Sequence, residues 1–165
     1  MTAAQAFREK HDGALSDRVN IRLWLRLLSC TIVIEKRVQR RLADGYGSTL
    51  PRFDVLAALD RHPQGMTMGQ LSRALLVSNG NVTGLVRALE RDGHIAIAPS
   101  PNDGRSSIVS LSPSGRTHFA ELATAHHGWI DAMLADLGGA ERDALYELLG
   151  ALKQSIAADK MKEPA

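Results

Sequence analysis

Apolar residues recur with a helical period along most of this chain, but between residues 66 and 115 the pattern breaks into two short helical stretches and then an alternation of period two. Residues 66–77 (MTMGQLSRALLV) open with Thr67 and Gln70 at the spacing of a capping box, in which the threonine oxygen accepts a backbone N–H and the glutamine reaches back to the cap. Leu71, Ala74 and Leu75 then fall on one helical face, expected to be buried. Val77 fills the turn, and Ser78 is placed to cap a second helix. In that helix Val82, Leu85, Val86 and Leu89 recur at i, i+3, i+4 and i+7, the spacing of a core stripe. Gly93 sits where a helix-ending glycine belongs. Ile95 and Ile97 alternate with Ala96 and Ala98, residues 108–111 form a second β-rich run, and the loop PSPNDGRSS lies between them. Two short helices followed by a hairpin with a charged tip predict a winged helix-turn-helix, a module that reads DNA.

The face of the second helix opposite its core stripe carries Gly80, Thr83, Gly84, Arg87 and Arg91. A glycine inside a helix costs about 1 kcal/mol relative to alanine, so two on one outward face call for a compensation. Close approach to a partner is one, since a helix must enter a major groove only about 12 Å wide. Ser78, Asn79, Asn81 and Thr83 add short side chains able to bond base edges or phosphate oxygens. At the hairpin tip Arg105 is suited to a minor groove of enhanced negative potential. Asp103, repelled by phosphate, is expected to orient Arg105 through an ion pair.

Long helical patterns flank this module. Residues 18–43 carry two adjacent apolar stripes, Leu23, Leu27, Cys30, Ile34, Val38 and Ile21, Leu25, Leu28, Ile32, which predicts burial on more than one side. A shorter helix starts at Thr49 and Pro51, turns Phe53, Leu56, Ala57 and Leu59 inward, and stops near His62 and Pro63. After the hairpin, Ser112 and Pro113 start a helix that continues to a stop at Gly138 and Gly139. A last helix carries Leu145, Leu148, Leu149, Leu152 and Ile156. These flanks hold more apolar surface than a small winged helix covers, so a two-fold homodimer presenting two reading helices is expected.

Composition narrows the function. At 165 residues the chain can bury a core without disulfides or metal. Its single cysteine cannot form an internal bridge, the first residues (MTAAQAFREKHDGALSD) lack a long apolar core, and the apolar run near residues 23–34 is interrupted by Arg26 and too short to span a bilayer. A cytoplasmic protein without membrane contact is expected. The net charge is +2 but uneven: residues 117–165 carry 4 Lys/Arg against 8 Asp/Glu, which should face away from DNA. So modest a charge on the DNA-reading module favours two copies over one, because phosphate neutralisation dominates affinity. No phosphate-binding loop, nucleophile elbow, zinc-protease motif or dinucleotide fingerprint occurs, so neither an enzyme nor a cofactor is expected. The histidines lack zinc spacing: His118 and His126 lie about 12 Å apart along a helix, and no metal site is expected.

The order of two helices, winged helix and two helices resembles the MarR family of bacterial transcription regulators. The likeness covers residues 18–156 and is most specific in TLPRFDVLAAL, LSRALLVSNGNVTGLVRALERDGHI and PNDGRSSIVSLSPSG. It implies a mainly α fold with a small β-hairpin wing, ordered α1-α2-(β1)-α3-α4-β2-β3-α5-α6. It also implies one MarR-like domain over residues 1–165, with dimerisation helices at 18–62 and 113–158 around a winged helix at 63–112. The resemblance places Ser78, Asn79, Asn81 and Thr83 at double-stranded DNA with Asp103 and Arg105 as the wing pair, and implies binding to a pseudo-palindromic operator, as a repressor; Gly80 and Arg87 join these DNA-binding candidates through their place on the outward helix face. The chain departs from the family pattern at Ser106 and Ser107, where basic residues are frequent, and at Arg87, where an acidic residue is common.

Members of this family commonly bind small aromatic acids or related anions between the dimerisation helices and the winged helix. Arg22, Trp24, Arg26, Arg52, Phe53, His126 and Trp129 lie on elements that would line such a cleft, and LWLRLLSC with TLPRFD is similar to members that sense aromatic acids or their coenzyme A thioesters. Arg26, set within an apolar run, stands out as needing an anion. Two alternatives remain: a thiol-based redox regulator acting through Cys30, which has no obvious tyrosine pair nearby to polarise a thiolate, and a winged helix used for protein contact.

Overall fold

The computed structural model describes residues 18–100 and 106–159, which form α1 (Val19–Tyr46), α2 (Leu50–Asp60), β1 (Met66–Thr67), α3 (Met68–Leu75), α4 (Asn79–Arg91), β2 (Ile95–Pro99), β3 (Ser107–Leu111), α5 (Pro113–Met133) and α6 (Gly139–Asp159). The chain divides into two compact units, Met1–His127 and Gly128–Ala165, and α5 crosses the division. No helix among the described residues is long and apolar enough to cross a membrane.

Local chemistry explains most element ends in the first unit. Thr49 caps α2 by accepting from the Arg52 N–H, with Pro51 in the first turn. The side chain of Gln39 on α1 accepts the Leu50 N–H at 2.8 Å, which fastens the start of α2 to α1. The capping box forms as expected, Gln70 N–H to Thr67 Oγ1 at 3.2 Å and Thr67 N–H to Gln70 Oε1 at 2.7 Å. α1 runs past residue 43 to Tyr46 and ends where Gly47, at φ 57°, lets its N–H and that of Ser48 reach back to Ala43 and Leu42 carbonyls. The end of α3 is made differently: Leu76 takes the left-handed conformation at φ 56° with its side chain 92% exposed.

The three strands form an antiparallel sheet in the order β1-β3-β2, with Met66 opposite Val109, Ile95 opposite Leu111 and Ile97 opposite Val109. Leu56 and Leu59 of α2, Leu71 of α3, Val82, Val86 and Leu89 of α4, Ile95, and Val109 and Leu111 of β3 form a sealed core. The expected faces hold with three adjustments: Ala74 is exposed, and Leu75 and Leu85 are half-buried, because sheet and α2 cover a narrower arc of each helix than its apolar stripe spans.

α1 departs from its expected burial on two sides. Only Ser29, Val38 and Leu42 are buried on it, while Val19, Ile21, Leu23 and Trp24 stand in solvent in the isolated chain. Ser29 satisfies itself within the helix by donating to the Leu25 carbonyl at 2.7 Å. In the second unit α6 has no buried residue at all, and Leu145, Tyr146, Leu148, Leu149 and Ile156 are exposed.

Candidate functional site

The outward face of α4 is built as the sequence requires. Val82, Val86 and Leu89 are sealed in the core, which turns Gly80, Asn81, Gly84 and Arg87 to solvent and leaves Thr83 half-buried. A Cβ added at Gly80 or Gly84 would meet nothing within 4 Å, so no packing inside the chain demands either glycine. Ser78 precedes the helix in extended conformation and makes no side-chain cap bond, although its carbonyl accepts the Val82 N–H at 3.2 Å. The first turn of α4, opened by Asn79, therefore offers backbone N–H groups and the positive end of the helix dipole to an anion such as phosphate. Asp103 and Arg105 lie outside the described residues.

At its other end α4 is tied into the unit from three directions. Asp92, its C-cap, forms an ion pair with Arg52 of α2. This hydrogen bond is the main reason the Asp92 carboxyl is held below the ordinary carboxylate range, with the charges of Arg52, His94 and Arg91 adding to it against partial desolvation. The Gly93 carbonyl accepts both the Ser112 hydroxyl at 2.6 Å and the Ser114 hydroxyl at 2.8 Å, and the Ser112 N–H donates to the His94 carbonyl at 3.1 Å. Gly115 completes the clamp, since a Cβ there would fall 1.8 Å from the His94 carbonyl oxygen. The His94 ring stacks on His118 of α5 with centroids 4.2 Å apart and planes 7° apart.

The residues expected to line an effector cleft separate into groups. Phe53 is buried, stacks on His126 at 4.6 Å and lies 5.6 Å from Phe119. Burial holds the His126 imidazolium less favourable than usual, helped by His127 beside it, so its pKa falls. His118 is lowered for the same leading reason, then by His94, with Glu121 opposing and Arg52 adding a little. Arg22, Trp24 and Arg26 lie on α1 with exposed side chains; Arg26 is not held inside an apolar interior, because the apolar run LWLRLL wraps around the helix and places the arginine on its open face. Trp129 belongs to the second unit and is half-buried. Cys30 is a half-buried free thiol.

Sequence reading missed Asp92, His94, His118 and Phe119. The first two follow the glycine-ended α4 and the last two lie one α5 turn beyond the Ser-Pro start, but nothing local marks residues so distant in the chain as neighbours of Arg52 and Phe53. A cleft of about 260 Å³ between α2 and α3 is lined by Asp54, Ala58, Arg61, His62, Ala74 and Leu75. Partial burial and nearby Glu35 push the Asp54 carboxyl up against the pull of Arg61.

Comparison with known proteins decides the family. A model of the MarR family matches residues 46–106. A solved MarR family transcriptional regulator from Silicibacter pomeroyi is 30% identical, with 87% of this chain and 99% of that chain aligned at a TM-score of 0.73. The chain belongs to the MarR family. It is a DNA-binding transcription regulator of winged helix-turn-helix fold, and members of this family are not enzymes. Among characterised relatives it is similar to the transcriptional activatory protein BadR of Rhodopseudomonas palustris, 40% identical over 62% of this chain, although the match spans only 59% of BadR. It is also similar to the transcriptional repressor YetL of Bacillus subtilis, 24% identical over 70% of each chain.

Proposed function

We propose that this regulator acts as a homodimer on a pseudo-palindromic operator, with α4 of each copy in successive major grooves, and that a small anionic, aromatic effector weakens the complex. The observation that carries the DNA contact is the outward face of α4, where Gly80 and Gly84 border open space while the opposite face is sealed. Ser78, Asn79, Asn81, Thr83 and Arg87 are the contacts assigned to that face, with Asp103 and Arg105 on the wing. The exposed apolar residues of α1 and α6 support a second copy as their cover. The reading is that of a repressor. The same dimer would activate if its operator lay beside rather than across the polymerase site, which accommodates one relative called activatory and another called a repressor.

The test is Gly84→Ala, which separates folding from recognition by sign. Alanine fills open space in a helix interior, so the variant should gain about 0.5–1 kcal/mol of stability, read as a higher urea midpoint. Its affinity for the protein's own promoter DNA should fall nonetheless, because the added methyl stands between helix and groove. A variant both more stable and equally tight on DNA would remove this face from the interface.

A further inference from the structure

α1 and α3 end with the same backbone geometry and different residues. At the end of α1, Gly47 takes φ 57° and ψ 26°, and its N–H with that of Ser48 closes the last turn. At the end of α3, Leu76 takes φ 56° and ψ 36°, its N–H reaches the Arg73 carbonyl at 3.4 Å, and the Val77 N–H reaches that of Ser72 at 3.1 Å. Glycine enters this left-handed conformation freely, whereas an L-residue crowds its Cβ against the following carbonyl oxygen. The leucine side chain gains nothing inside the chain in return. It is 92% exposed, the most open of the large apolar side chains among the described residues. A residue that strains the backbone and leaves its apolar side chain in water serves a contact outside the chain.

The surroundings narrow that contact to DNA. Leu76 and the exposed Val77 lead directly into Ser78, Gly80 and Asn81, all exposed at the opening of α4. No acidic residue occurs between Asp60 and Glu90, while Arg61, Arg73 and Arg87 all lie exposed within that stretch, Arg73 on the last turn of α3 itself. So basic a border suits a polyanion. The outward face of α4 offers Gly80, Asn81, Gly84 and Arg87, with Thr83 half-buried, so the large apolar groups at the opening of the helix are those of Leu76 and Val77. The apolar feature that a major groove presents on its base edges is the thymine C5 methyl.

We propose that Leu76, flanked by Val77, covers a thymine methyl where the first turn of α4 enters the major groove, and so reads an A·T pair by apolar contact beside the polar contacts of the helix. This rests on α4 as the reading helix and adds a specificity-determining residue to it. Leucine replaces the glycine that the turn itself would favour because the contact needs a side chain.

The experiment uses the full-length protein and its own promoter DNA in two forms, natural and with every thymine replaced by deoxyuridine, which removes the methyl groups and keeps the hydrogen-bonding edges. Wild type should bind the deoxyuridine form about 3- to 5-fold more weakly for each methyl that Leu76 covers, as for one buried CH₂-sized group. Leu76→Asn retains a residue that tolerates the left-handed backbone and removes the apolar side chain. It should bind natural DNA more weakly than wild type by a similar factor and lose less than wild type on deoxyuridine DNA, a coupling that a thermodynamic cycle isolates. Urea unfolding and light scattering establish that the variant is folded and keeps the wild-type mass. Wild-type affinity of Leu76→Asn for both DNAs removes Leu76 from the interface, and a wild type indifferent to deoxyuridine overturns the proposal outright. Equal weakening on both DNAs gives the leucine to the sugar–phosphate backbone or to the shape of the turn, and the thymine contact is then wrong. A change of mass in Leu76→Asn assigns the side chain to a second copy instead. Gly84→Ala judges the reading helix separately: weakened binding there with none in Leu76→Asn leaves α4 in the groove and dismisses its apolar neighbour.

Discussion

The helix-turn-helix core and α6 follow opposite rules. In the first, α2, α3, α4 and the sheet each surrender an apolar face to the others, and Leu56, Leu59, Leu71, Val82, Val86, Leu89 and Val109 are almost entirely sealed. In the second, Leu145, Tyr146, Leu148 and Ile156 have the same apolar character, yet nothing on Gly139–Asp159 is buried and Tyr146 keeps 77% of its surface. The residues are alike and only their cover differs. A reading head must keep its shape with or without DNA, so its own chain closes its core, whereas the flanking helices leave their apolar surface for a partner copy under the dimeric reading.

Substituting one leucine in each region separates the two most forcefully. Leu71→Ala, in a site with no exposure, should cost about 2–5 kcal/mol in chemical unfolding. Leu148→Asp, on a side chain 69% exposed, should change the stability of a single chain by no more than about 0.5 kcal/mol. The same aspartate should convert a dimer to single chains in light scattering at micromolar concentration, and binding to promoter DNA should weaken with it as the second reading helix is lost. A Leu148→Asp protein that keeps dimer mass would place the partner surface elsewhere.

A smaller effect sharpens the contrast inside the reading head itself. Leu76 is a large apolar residue left in solvent, and its backbone adopts the left-handed conformation that costs an L-residue about 1–2 kcal/mol. Glycine removes that strain but loses roughly 0.5–1 kcal/mol through the greater freedom of its unfolded chain. Leu76→Gly should therefore stabilise the protein by up to about 1 kcal/mol, measured by urea denaturation. Loss of stability would mean that the leucine side chain has a partner in the intact assembly.

The smallest expected effect is on pH dependence. His118 and His126 both have folded pKa values depressed below the ordinary 6.5, so the unfolded chain binds more protons than the native one once the pH drops through that region. Their contribution to stability is complete above 6.5 and is lost as the pH falls through their lowered folded values. The urea midpoint should therefore decline from pH 7.5 to pH 5.5, modestly because both rings retain contact with solvent. His118→Gln together with His126→Gln should flatten the decline; an undiminished slope would assign it to other groups.

Much of the fold was legible because its signals act over three or four residues. Thr67 with Gln70, Thr49 with Pro51, and the stripe Val82, Val86 and Leu89 are local statements about one helix turn, and each appears where its chemistry requires. The outward glycines of α4 were legible for the same reason: a helical period names both faces once one is known. Arg26 misled because a linear run of apolar neighbours does not specify a face, and around a helix those neighbours surround the residue without covering it. Leu76 closes α3 in a conformation leucine disfavours, where the junction between two packed helices prevails over local preference. The ion pair of Arg52 with Asp92, the stack of His94 on His118 and the approach of Gly115 to the His94 carbonyl join residues separated by tens of positions. Thus the sequence by itself determined the helices, the strands, several of their caps and the outward face of α4, since short-range hydrogen bonding and periodic burial suffice for them. Only the tertiary structure decided which charge meets which, because such pairings depend on the path of the whole chain around a core that many sequences could close.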